Sequence, residues 1–175
     1  KGTTWEGGQR VPMIVRWTGW TPPGRELHDV VSSIDLLPTL ARWADTAPPQ
    51  DRTIDGVDLG DYLLGRQASS PRDTFFYYRG DRLEAVRCGR WKLFAAHGAG
   101  AGETPGGDLY DLAADVGETT DRAAEHPNVV ADLSRLLDEC REDLGDSRTN
   151  SPGRDRRPIG RVDNPKPLTS RDATY

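Results

Sequence analysis

Long apolar runs are missing from this sequence. No stretch of about 18 hydrophobic residues occurs in its 175 positions, which excludes a membrane-spanning helix. Cysteine is scarce. Cys88 and Cys140 stand alone, with no CxxC or Cys/His spacing of a metal site. One disulfide between them or two free thiols are both open. His28, His97 and His126 are the only histidines, and they lie too far apart in sequence to form a metal site. No signal peptide is visible. Hydrophobic residues make up only 35% of the chain and the mean hydropathy is -0.70, so the core must be modest. What is plentiful is turn-forming residues, 19 Gly and 13 Pro, which makes the chain rich in loops. Five Trp, five Tyr and three Phe still supply large side chains for packing.

The net charge of -5 is unevenly spread. From Gly145 onward there are seven Arg or Lys against four Asp, a net of +3, which leaves -8 for the body. Aspartates interrupt that basic tail, and its only aromatic is the last residue. It reads as a solvated tail and not as a nucleic-acid-binding one.

The length allows one domain or two small ones. Met13 to Trp17 is a short apolar run between Pro12 and a turn-rich stretch, and predicts a buried strand. Asp35 is placed to cap a helix from about Leu36 to Ala44, with Pro38 at its third position, where no intrahelical N–H bond is lost. Asp58 can cap a short helix through Leu64, which Gly65 ends. Residues 66–73 are polar and hold Ser69-Ser70-Pro71, the best boundary in the chain. Beyond it the pattern changes to strands: Thr74 to Arg79, Leu83 to Arg87, Trp91 to His97 and Leu109 to Leu112. Gly80-Asp81 and Gly89-Arg90 sit at hairpin distance. Residues 98–107 carry five glycines and a proline and predict a flexible loop. Pro127 suits the first position of a helix in which Val130, Leu133, Leu137, Cys140 and Leu144 form one stripe. From Gly145 the chain has little to bury and predicts irregular structure.

The first twelve residues, Lys1-Gly2-Thr3-Thr4-Trp5-Glu6-Gly7-Gly8-Gln9-Arg10-Val11-Pro12, gather a lysine, hydroxyls and glycine-rich backbone. That combination suits an oxyanion. Glu6 and Arg10 can pair and brace the loop. Thr3 and Thr4 read as hydroxyls bonded to backbone, and Gly7-Gly8 as a place of close packing.

This segment resembles the K-G-T-T-x-E-G-G-x-R-x-P segment of type I sulfatases, the arylsulfatase A-like family of the alkaline phosphatase superfamily. The likeness continues in order. Ser33-Ile34-Asp35-Leu36-Leu37-Pro38-Thr39-Leu40 is similar to S-x-D-L-x-P-T-L. Ile54-Asp55-Gly56-Val57-Asp58-Leu59 with Leu63-Leu64-Gly65 is similar to I-D-G-x-D-L…L-L-x-G. Phe76-Tyr77-Tyr78-Arg79-Gly80, Ala85-Val86-Arg87 and Trp91-Lys92-Leu93 resemble the family's C-terminal sheet. Leu109 to Leu112 with Asp115, Gly117 and Glu118 resembles L-Y-D-L-x-x-D-x-G-E. The likeness covers about residues 1–145.

The resemblance implies an α/β fold: the C-terminal edge of an alkaline-phosphatase-like α/β domain (residues 1–65), a linker (66–73), and a small C-terminal subdomain (74–145) with a four-stranded antiparallel sheet packed on one helix. Residues 146–175 would be an irregular tail. It implies hydrolysis of aryl or sugar sulfate esters in the intact protein, with sulfate ester as substrate. Lys1 would be the lysine that contacts the sulfate, and His97 would touch substrate from the cleft rim. Ca2+ and a formylglycine nucleophile made from an upstream Cys or Ser belong to the family. Neither the calcium ligands nor a C/S-x-P-x-R motif occurs here. The expectation is therefore a C-terminal fragment lacking its N-terminal catalytic portion, inactive alone, from a periplasmic or secreted protein. A phosphonate or phosphate monoester hydrolase of the same superfamily is the alternative enzyme. A structural, substrate-rim module is the non-enzymatic one.

Overall fold

The computed structural model of the chain describes residues 2–97, 104–157 and 161–165. Its N-terminal part is helical and loop-rich: α1 (Glu6–Gln9), a 3-10 turn (Ser33–Asp35), α2 (Leu36–Trp43) and α3 (Gly60–Leu63). The helix expected from Leu36 is there, but Asp35 does not cap it through its side chain. The carboxylate instead accepts the Ser32 N–H at 2.8 Å, the Val57 N–H at 2.9 Å and Arg72 Nε at 2.9 Å. Thr39 Oγ1, one turn on, donates to the Asp35 carbonyl and accepts the Leu59 N–H, so α2 is tied to the start of α3.

The strand predicted over Met13–Trp17 does not form. Val11 is 77% exposed and Ile14 is 94% exposed, and no strand pairs with the segment among the described residues. An apolar run becomes a strand only when a neighbour takes up its backbone hydrogen bonds. Trp17 does pack, on Trp20 and Trp43 at ring separations of 5.1 and 4.8 Å.

The C-terminal part is built from β1 (Thr74–Arg79), β2 (Arg82–Cys88), β3 (Trp91–Phe94), a small ribbon of β4 (Ala96–His97) and β5 (Thr104–Pro105), β6 (Leu109–Asp111) and α4 (Pro127–Leu144). Four strands form an antiparallel sheet in the order β1-β2-β3-β6. Two-residue turns led by Gly80 and Gly89, with φ +65° and +56°, close the two hairpins. The run expected to continue from Trp91 to His97 is interrupted after Phe94. There the Phe94 N–H donates to Asp108 and the Ala95 N–H to Glu84, and the chain turns into the β4–β5 ribbon. Of the loop predicted over residues 98–107, the part up to 103 lies outside the described residues, and β5 begins at Thr104.

Register decides what each face carries. Tyr77 lies opposite Ala85, yet Tyr78 lies opposite Leu83, so Glu84 is an extra residue in β2, a bulge. The bulge lets Leu83 and Val86 share a face. With Leu93 and Leu109 they meet Leu133, Leu137 and Cys140 of α4, the stripe predicted from spacing. The opposite face carries Tyr77, Ala85, Phe94 and Tyr110, with Phe75 and Trp5 packed on them. Both faces of the sheet are therefore covered, one by α4 and one by the N-terminal segment. No helix among the described residues is long and apolar enough to cross a membrane.

Past Gly145 (φ +85°) the described residues form no further helix or strand, yet the main chain stays hydrogen-bonded to the body as far as Asp155. The Asp146 side chain is fully buried and accepts the Leu83 and Arg148 N–H groups and Arg141 Nε. The N–H groups of Arg154 and Asp155 donate to carbonyls of α4.

Candidate functional site

Strand alternation in Trp91-Lys92-Leu93-Phe94 sends Trp91 and Leu93 toward α4, and Lys92 and Phe94 toward the N-terminal segment. Lys92 pairs with Arg87 on one side and Tyr110 on the other, so it sits mid-sheet on an aromatic face. Its side chain is completely buried. A buried ammonium must find an acceptor for each of its three protons. Lys92 Nζ donates to the Thr4 carbonyl at 2.6 Å and to Glu6 Oε1 at 3.3 Å, and it forms an ion pair with Glu118 Oε1 at 2.7 Å. It also lies 4.2 Å from the Tyr77 ring centroid and 5.1 Å from that of Phe94, within cation–π range.

Glu6 is 4% exposed and is the second centre of the cluster. Its N–H donates to Glu118 Oε2 at 2.6 Å, and its Oε1 accepts the Tyr77 hydroxyl at 3.0 Å. Arg87 Nη1 approaches its Oε2 at 3.5 Å. The expected partner, Arg10, is farther at 3.8 Å, and its side chain is half exposed. The loop is thus held chiefly by the sheet and only marginally by Arg10. Burial, and next to it the Glu6 charge, pushes the Tyr77 phenol well above its ordinary range. Tyr77 therefore stays a donor to Glu6 at any ordinary pH.

Glu118 sits within a pinned turn, Asp115 to Thr120. Asp115 accepts the Thr119 and Thr120 N–H groups at 2.8 and 2.9 Å. These bonds, led by the one from Thr120, hold its carboxyl below the usual range. Glu118 itself adopts φ +54°, uncommon for a residue with a side chain.

Thr4, 2% exposed, donates its hydroxyl to Glu84 Oε2 at 2.7 Å, the bulged residue of β2. The expectation that this hydroxyl bonds backbone is corrected: its partner is a carboxylate 80 positions away. Trp5 packs at 4.4 Å from Phe94 and 5.7 Å from Tyr110. Gly8 has no room for a side chain, since a Cβ would lie 2.5 Å from the Thr3 carbonyl oxygen, whereas Gly7 faces open space.

Lys1 lies outside the described residues. His97 ends β4, and its side chain is likewise outside the described part. His126 sits at the start of α4 without a side-chain capping bond, and its ring packs 4.6 Å from Trp91. Cys88 and Cys140 are both free thiols. Cys140 lies 3.4 Å from the Tyr78 hydroxyl, and burial raises its pKa. Sequence reasoning passed over Lys92, Glu118, Tyr77 and Arg87. The available signal was Lys92 alternating with Phe94 on a face that also carries Tyr77 and Tyr110.

The described residues do not fit calcium or formylglycine. Among them no three His, Cys, Asp or Glu converge on a cation site, and Glu6 and Glu118 are already committed to Lys92. Neither cysteine lies in a C/S-x-P-x-R setting.

A loop carrying Thr4 and Glu6 is thus clamped onto one face of a four-stranded sheet whose other face is backed by α4. Residues 70–161 match the family described as the C-terminal region of aryl-sulfatase, and residues 1–46 match the one described as sulfatase. The chain belongs to the sulfatase family. It is 48% identical over 92 residues to N-acetylgalactosamine-6-sulfatase of Canis lupus familiaris, which covers 53% of this chain and 17% of that protein. It is 37% identical over 161 residues to arylsulfatase A of Homo sapiens, covering 78% and 31%. A solved structure from work on glycosaminoglycan metabolism by Bacteroides thetaiotaomicron superposes with a TM-score of 0.67 at 32% identity, over 78% of this chain and 30% of that one. The chain therefore spans less than a third of the length of each of these relatives.

Proposed function

We propose that this chain is the C-terminal part of an enzyme that hydrolyses sulfate monoesters, and that its contribution to the reaction is the loop beginning at Lys1. The observation that carries the reading is the burial of Thr4 and Glu6 just after the lysine in the K-G-T-T-x-E-G-G-x-R segment. A loop that only covered the surface would not need two polar side chains under 5% exposed and bonded across the molecule. Lys1 supplies a fixed ammonium where negative charge gathers on the sulfuryl oxygens and on the departing oxygen. Its compact charge and three N–H donors suit a tetrahedral oxyanion. Lys92 cannot take that part, because its ammonium is buried and already held by the Thr4 carbonyl, Glu6 and Glu118.

His97 touches substrate from the cleft rim in this reading, and residues 74–145 act as the subdomain that backs the lysine loop. Calcium and the formylglycine nucleophile belong to sequence upstream, and the natural setting is periplasmic or secreted. Full-length protein assayed on p-nitrophenyl sulfate and p-nitrophenyl phosphate tests the reading. Sulfate turnover that falls about 100-fold or more in Lys1→Ala supports it, the size expected for one lost oxyanion donor. Preference for the phosphate ester, or an indifferent Lys1→Ala, overturns it.

A further inference from the structure

We infer that Lys92 and Glu118 are positioning residues for the sulfate-contacting loop: a buried ion pair of the C-terminal sheet that grips the main chain of Thr4–Glu6 and so sets where Lys1 stands. The inference rests on the reading of Lys1 given above. The two residues hold main-chain groups from both sides of Trp5. Lys92 Nζ donates to the Thr4 carbonyl at 2.6 Å, and Glu118 Oε2 accepts the Glu6 N–H at 2.6 Å. Their own charges meet at 2.7 Å, so one rigid unit fixes both ends of a three-residue stretch. Such contacts are indifferent to the side chains of the loop and specify only the path of its backbone. Lys1 is three residues from Thr4, at most about 11 Å of chain.

Simple cohesion does not account for a charged pair here. The surrounding face is Tyr77, Phe94, Tyr110 and Trp5, and an apolar residue in place of Lys92 would pack against it with no charge to desolvate. What an apolar residue cannot do is bond the Thr4 carbonyl. Because a displacement of about 1 Å in a catalytic group can cost on the order of 100-fold in rate, a backbone clamp has a kinetic consequence.

The test uses the full-length protein and the variant Lys92→Met/Glu118→Gln. It removes one charge of each sign, and the amide that replaces the Glu118 carboxylate can still accept the Glu6 N–H. Leu137→Ala, a core lesion on the α4 side of the sheet, is the control for lost stability. Steady-state kinetics on p-nitrophenyl sulfate and hydrogen exchange over residues 2–10 are measured for each. For the double variant we expect kcat to fall about 100-fold with KM changed less than about threefold. Exchange over residues 2–10 should quicken about 10-fold. Leu137→Ala should lower the Tm and leave both readouts near wild type. Retained kcat in the double variant, with Lys1→Ala inactive, overturns the inference alone. An equal fall of kcat in Leu137→Ala at matched Tm also overturns it, by making the effect one of stability. Full activity of Lys1→Ala overturns the reading of Lys1 and, with it, this inference.

Discussion

The Lys92 ammonium donates to the Thr4 carbonyl across 88 positions of sequence. The contact joins the start of the chain to the middle of the C-terminal sheet, and the charges around it are nearly balanced. Glu6 and Glu118 supply two negative charges, and Lys92 and Arg87 supply two positive ones. Each charged group of this cluster finds its partner in a different segment, so the two parts of the chain fold onto each other as one unit.

Removing one member should therefore cost far more than the pair is worth. Lys92→Met leaves Glu6 and Glu118 with one cation in place of two and should destabilise the protein by about 3–5 kcal/mol. Lys92→Met/Glu118→Gln restores the balance and should recover a good part of that loss. Urea unfolding of both single variants and the double variant gives the coupling energy. Strict additivity of the two single losses would show that the charges do not interact.

A second buried pair ties the start of α2 to β1. Arg72 is 9% exposed at its side chain, and Asp35 is fully buried. Arg72 Nε lies 2.9 Å from Asp35 Oδ2, while its Nη2 donates to the Asp55 carbonyl at 2.7 Å and its Nη1 to the Thr74 carbonyl at 3.2 Å. One guanidinium thus binds α2's leading turn, the loop at Asp55 and the first strand. Arg72→Lys keeps the charge but loses the planar fork. It should cost about 2 kcal/mol or more, and Arg72→Ala about 3–5 kcal/mol. Cleavage between residues 66 and 73 under limited proteolysis should quicken in the same order. Arg72→Lys indistinguishable from wild type would reduce the fork to an ordinary ion pair.

Much of the fold is legible in local signals. Pro127 and Gly145 bracket α4, and the apolar stripe between them names the residues that meet the sheet. Gly80 and Gly89 mark both hairpins. The failures have a common physical origin. Met13–Trp17 has the composition of a strand, but composition does not say whether a partner strand is within reach. Glu84 shifts the register of β2 by one residue, and nothing in Leu83-Glu84-Ala85-Val86 announces a bulge. Lys92 reads as a solvent-facing residue until both faces of the sheet are known to be covered. Motif likeness pointed to Lys1, Glu6 and Arg10, whereas the buried cluster is centred on Glu6 and Lys92. Long-range pairing of charges is what a one-dimensional pattern conveys least.

Gly107 has a steric reason to be glycine. A Cβ there would lie 1.7 Å from the Phe94 carbonyl oxygen and 2.8 Å from its carbon, and both are backbone atoms that cannot swing away. Gly107→Ala should push β6 away from β3 and cost about 3 kcal/mol or more, at the upper end for overpacking. Gly7→Ala, where the added methyl meets nothing within 4 Å, is the control and should stay within about 1 kcal/mol of wild type. Thermal melts of the two variants decide it, and equal Tm values would mean that the loop before β6 shifts freely.

The Tyr77 hydroxyl gives a pH-dependent test of the same cluster. At neutral pH it donates to Glu6 Oε1, and Tyr77→Phe should cost about 1–3 kcal/mol for a buried bond to a charged acceptor. The fold raises the phenol's pKa, chiefly through burial and then through Glu6, so the folded state keeps a proton that the unfolded state releases above about pH 10. Where the unfolded state binds fewer protons, stability falls as pH rises. The Tyr77 contribution is thus fully present below about pH 10 and is lost progressively above it. Tyr78 and Tyr110, the latter pushed up to about 12 by burial, act in the same direction in both proteins and leave the comparison unaffected. The stability gap between wild type and Tyr77→Phe should therefore narrow between about pH 10 and 12, measured by urea unfolding at each pH. A gap that stays constant would mean that the Tyr77 phenol ionises in the folded state as readily as in the unfolded one, and that Glu6 is not the charge beside it.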